Sequence, residues 1–72
     1  MKTEITYYRM DRKKIALFRF LLEAYEGVAV LTTVDNTRGL VRVHVPEGFG
    51  STFKELYKDV EKDFKLTPVE AP

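Results

Sequence analysis

The sequence predicts an α+β fold of ferredoxin-like type, a βαββα(β) sandwich in which an antiparallel sheet carries two helices on one face. Three observations predict it. Two amphipathic helical stripes flank a pair of β-branched runs, those runs are joined by the turn segment DNTRG, and a period-two alternation precedes the first stripe. A right-handed crossover then carries the first strand to a parallel second one and leaves a gap for the third. The helices cover one sheet face, and the other stays open.

The first strand is predicted over Thr3 to Met10. Thr3, Ile5 and Tyr7 alternate with Glu4, Thr6 and Tyr8. Asp11 reads as an N-cap and Gly27 as the glycine just past the helix end, so the first helix is expected over Arg12 to Glu26. Ile15, Phe18, Leu22 and Tyr25 form its stripe, with Leu21 beside it. Leu17, Phe20 and Ala24 widen the apolar arc, and Arg19, Glu23 and Glu26 mark the wet face. Val28 to Val34 is the second strand, and Asp35 to Gly39 a hairpin loop with Gly39 left-handed. Leu40 to Val45 is the third strand, with Val41, Val43 and Val45 opposed to Leu40, Arg42 and His44.

Pro46 ends that strand, because it has no N–H to give a ladder. Thr52 and Glu55 have the spacing of a capping box. The second helix carries a narrow stripe of Phe53, Leu56, Tyr57, Val60 and Phe64, and its other positions from Lys54 to Lys65 are charged. Residues 66–72 are an edge strand or tail, since Pro68 confines any strand there to an edge. The whole of 1–72 reads as one domain.

Composition narrows the function classes. Net charge is +1, from 12 basic and 11 acidic residues, so there is no global field for nucleic acid or an anionic membrane. The chain has no cysteine, which excludes disulfides, thiolate chemistry and zinc–sulfur sites. No apolar leader or membrane span is visible, so a cytoplasmic location is expected. The single Asn, the lack of Gln and 32% charged residues fit a thermophile's composition.

The run EAYEGVAVLTTVDNTRGLVRVHVPEG, after the helix DRKKIALFRFLL, resembles a family of short bacterial domains of unknown function. The resemblance covers about Tyr7 to Phe64. It rests on the Glu-Ala-Tyr helix end with Gly27, the Thr33-x-Asp35 run into the hairpin and the apolar third strand. It implies no catalytic residues. In topology the chain is also similar to ACT-type regulatory domains. That likeness implies pairing of subunits and a small ligand at their interface.

No catalytic set, metal site or cofactor motif is read from the residues. His44 has no second histidine or cysteine to work with, and Ser51 lies at a helix start. The glycines of VPEGFGST lack the lysine of a phosphate-binding loop, and Glu47 would repel an anion. One cluster stands out. Arg12, Lys13 and Lys14 crowd the expected helix start, where cations oppose the helix dipole. The topology brings Arg9 and Arg38 to the same pole. These five are the candidate ligand-binding residues, for a small anion or an acidic partner.

The expected function is a non-catalytic binding or regulatory module acting as a homodimer. Leu17 and Phe20, with Tyr8, Leu31, Leu40, Arg42 and His44 on the open sheet face, are the expected interface residues. The alternative is a nucleic-acid-binding domain that uses the basic pole and the open face.

Overall fold

The alternating valines of LVRVHV decide which side of the sheet is dry. A computed structural model of the chain describes residues 4–25 and 27–72. It contains β1 (Glu4–Arg9), α1 (Ile15–Ala24), β2 (Val30–Asp35), β3 (Leu40–Val45), α2 (Gly50–Phe64) and β4 (Thr67–Val69). The strand order is β2-β3-β1-β4, and each neighbouring pair is antiparallel. β1 and β2 are therefore parallel with β3 between them, which is the ferredoxin-like arrangement. The tail supplies the fourth strand at the edge beside β1, and Pro68 lies within it. Thr3 and Glu26, assigned above to the first strand and the first helix, lie outside the described residues.

Val41, Val43 and Val45 of β3 join Phe18 and Leu22 of α1 and Phe53, Leu56, Val60 and Phe64 of α2 in one core. Burying each such side chain contributes roughly 1.5–3 kcal/mol. Phe18 and Phe64 meet at 5.4 Å between ring centroids and link the two helices. Tyr57 of α2 stacks at a tilt on Tyr8, 5.6 Å away, and on Phe53, 6.1 Å away.

Register corrects two face assignments. Residues directly opposite across an antiparallel pair share a face. Tyr8 is opposite Val41, and Leu31 is opposite Val43, so both belong to the core and are buried. The open face instead carries Ile5, Tyr7 and Arg9 from β1, level with His44, Arg42 and Leu40 of β3. Val30 and Thr32 of β2 continue the first two rows, and Val69 of β4 continues the Tyr7 row.

Three helix boundaries also move. Arg12–Lys14 form a single 3-10 turn capped by Asp11, whose Oδ1 accepts the Lys13 N–H at 3.0 Å. The α-helix begins only at Ile15 and ends at Ala24, with Gly27 left-handed at φ 74° beyond it. α2 starts at Gly50, ahead of Thr52, so the expected capping box does not form. The reason lies in the preceding turn. Phe49 N–H donates to the Pro46 carbonyl, Gly48 takes φ 93°, and the Phe49 carbonyl already accepts from Phe53. Thr52 is thereby carried into the first helical turn.

Candidate functional site

Three segments meet at one pole of the sheet. Met10 N–H donates to the Gly39 carbonyl at 2.9 Å, and Asp11 N–H to the Phe64 carbonyl at 3.1 Å. The end of β1, the end of the hairpin and the end of α2 are thus tied together. The hairpin itself is held by Asp35, whose Oδ1 accepts from Thr37 Oγ1 at 2.7 Å and from Thr37 N–H at 3.0 Å. These bonds, the hydroxyl first, hold the Asp35 carboxyl below its ordinary pKa. The ordered loop sets the base of Arg38.

Between these segments lies an open cleft of about 380 Å³, lined by Arg9, Met10, Asp11, Arg38, Lys65 and Thr67. Of the five cations singled out in the sequence, Arg9 and Arg38 line it. Arg12 and Lys13 are exposed on the 3-10 turn and do not. Lys14 has a different task. Its Nζ donates to the Asp63 carbonyl at 3.0 Å, at the C-terminal end of α2, where the helix dipole favours a cation. The expected electrostatic misfit at the first helix is therefore partly relieved within the chain.

Lys65 also lines the cleft, although it is not among those five cations. It sits at φ 56°, ψ 44°, in the left-handed region, just past the last residue of α2. Its N–H bonds back to the Lys62 carbonyl at 3.3 Å, and Leu66 N–H bonds to the Glu61 carbonyl at 3.0 Å. This is a Schellman end, in which glycine is the usual residue at this position. A β-carbon there costs roughly 1–2 kcal/mol. No glycine at position 65 announced the turn, so the sequence carried no signal for it.

The opposite pole does not suit an anion. A hollow of about 250 Å³ there is lined by Glu4, Val45, Pro46, Glu47, Gly48 and Gly50. It brings two carboxylate residues to the start of α2. Among the described residues, no group of three or more His, Cys, Asp or Glu side chains is placed to hold a metal ion. No helix among them is long and apolar enough to cross a membrane.

On the open face, Arg42 and His44 are half-buried, and their Nε and Nε2 atoms are shielded from water without a hydrogen-bond partner among the described residues. Ile5 and Val30, on either side of His44, are 51% and 58% exposed. On α1, Leu17 is 51% and Phe20 63% exposed, while Leu40 is buried on the sheet.

Fold and site together define a small α+β domain of ferredoxin-like topology, with an uncovered sheet face and a basic cleft at one end of it. A family model described as a domain of unknown function (DUF4911) matches residues 8–63. The chain belongs to that family. No curated protein matches the chain. No solved structure matches it.

Proposed function

We propose that the protein is a binding module that takes a small oxyanion in its basic cleft and works as a homodimer. One observation carries the reading: Arg9, Arg38 and Lys65, from β1, the hairpin and the end of α2, converge on a single cleft. Guanidinium groups offer paired donors that match phosphate or carboxylate oxygens. Asp11, the one carboxylate among the described lining residues, already accepts the Lys13 N–H. The cleft's volume suits a small ligand. Pairing of two copies is supported by the exposed Leu17 and Phe20 on α1, which leave an apolar patch facing solvent.

Thermal melting tests the cleft. Inorganic phosphate, pyrophosphate and a dicarboxylate are titrated, and at least one is expected to raise the melting temperature saturably. Arg9→Glu combined with Arg38→Glu removes that rise, whereas Lys13→Glu keeps it. A wild type that responds to none of the three at millimolar concentration rejects the reading.

A further inference from the structure

The open sheet face and the basic cleft share Arg9 and Thr67. Both residues line the cleft, and both are on the open face, where they are directly opposite each other. Tyr7 is two positions along β1 from Arg9 and therefore on the same face, roughly 6–7 Å away along the strand. Tyr7 is directly opposite Arg42, and one row further Ile5 is opposite His44. β1 and β3 are the two central strands, so this track runs down the middle of the face.

We propose that this track binds a nucleotide, with its phosphate among Arg9, Arg38 and Lys65 and its base over Tyr7 beside Arg42. The inference rests on the anion-binding reading of the cleft and extends it to a ligand class.

Three features favour this occupant. The first is spacing: a phosphate group and the aromatic ring to which it is joined through a sugar fit the separation between Arg9 and Tyr7. The second is chemistry. A flat π-surface pairs with a tyrosine ring or a guanidinium plane, and base edges offer acceptors to donors such as Arg42 Nε. Buried nitrogens without partners among the described residues ask for an explanation, and an acceptor on a base edge that reached Arg42 Nε or His44 Nε2 would satisfy it. The third is charge. In the two central strands the open face presents Arg9 and Arg42 and no carboxylate. A second copy laid face to face about a twofold axis through the centre would bring Arg42 toward its own copy. That disfavours self-pairing here and favours an anionic partner with apolar rings.

The experiment compares AMP, inorganic phosphate and adenosine in thermal melts, then a labelled single-stranded RNA octamer by fluorescence anisotropy. AMP is expected to bind roughly tenfold or more tightly than phosphate, as one stacked base would provide. Tyr7→Leu, which keeps strand bulk and removes the ring, reduces AMP to the phosphate level, and Tyr7→Phe preserves the difference. Circular dichroism of each variant confirms that the sheet is intact. Arg9→Glu with Arg38→Glu abolishes both responses. An octamer that binds more tightly than AMP, with affinity falling steeply in salt, identifies single-stranded nucleic acid as the source of the nucleotide. An octamer no tighter than AMP identifies the free nucleotide. Equal binding of AMP and phosphate overturns the inference and leaves the anion site standing. No response to AMP or phosphate overturns the inference, and if pyrophosphate and the dicarboxylate are also without effect the anion-binding reading falls with it. A polyglutamate peptide that binds as tightly as the octamer, with Tyr7→Leu leaving both unchanged, overturns the inference in favour of an acidic protein partner.

Discussion

Gly39 lies so close to Met10 that a β-carbon on it would overlap the Met10 carbonyl oxygen. Its own carbonyl accepts the Met10 N–H, and its φ is 67°. Space and backbone conformation both demand glycine here. The approach is what seats the hairpin, and with it Arg38, against the end of β1.

Gly39→Ala is therefore expected to cost at least ~2 kcal/mol, since steric overlap adds to left-handed strain. Gly27 is the control. It is also left-handed, but a β-carbon there meets nothing within 4 Å. Gly27→Ala should lose only about 1 kcal/mol. Urea melts of the two variants check the difference, and equal losses would show that the Met10 approach is not tight.

Lys65→Gly should stabilise the free protein by about 1 kcal/mol, because it relieves the left-handed strain at the end of α2. For a domain of this size that corresponds to a rise of roughly 4–8 °C in melting temperature. The same variant should weaken any phosphate response, since it removes one of the three cleft cations. Higher stability with an unchanged phosphate response would separate Lys65 from the cleft.

Alkaline unfolding should begin with the Tyr8–Tyr57 pair. Burial first, then the neighbouring Glu61, pushes the Tyr57 phenol from its ordinary 10.0 up to about 12, and burial also raises Tyr8. Between those values the folded chain keeps a proton that the unfolded chain has lost. This contribution to stability is constant below about pH 10 and falls as pH rises toward 12. Denaturant midpoints across that range check it. Tyr57→Phe should flatten the fall.

Self-association is expected to run through α1. Leu17→Ser combined with Phe20→Ser should shift light-scattering mass toward the monomer and leave the circular dichroism spectrum unchanged. Both residues are exposed in the single chain, so their loss should cost the monomer little. A wild type that is monomeric at high micromolar concentration removes the basis for this prediction.

The helix stripes and the β3 alternation were legible because each is a periodicity within one element. Val41, Val43 and Val45 declare the dry face without reference to any other strand. The Tyr7-Tyr8 pair shows where this stops. Alternation says that the two tyrosines face opposite ways, but only the pairing of Tyr8 with Val41 says which one is buried. Lys65 was hidden for a similar reason: its charge is visible in the sequence, while its left-handed backbone is set by the Leu66–Glu61 bond that closes α2. That Arg9 and Arg38 lie together is legible because topology alone brings a strand end and a hairpin to one pole. The Lys14–Asp63 bond is invisible in the sequence because the α2 carbonyl that Lys14 answers lies far away in the chain.

The strand order has a consequence for how the chain reaches this state. Among the described strands, only β2 and β3 are neighbours both in sequence and in the sheet. The hairpin tied by Asp35 can therefore form by itself, in microseconds, as a local event. β1, although it comes first in the chain, pairs with the later strands β3 and β4. Assembly is thus expected to start at the hairpin in the middle of the sequence, where the pairing is most local. The basic cleft, made from the ends of β1, the hairpin and α2, is expected to be complete only when β1 and α2 have closed onto that hairpin.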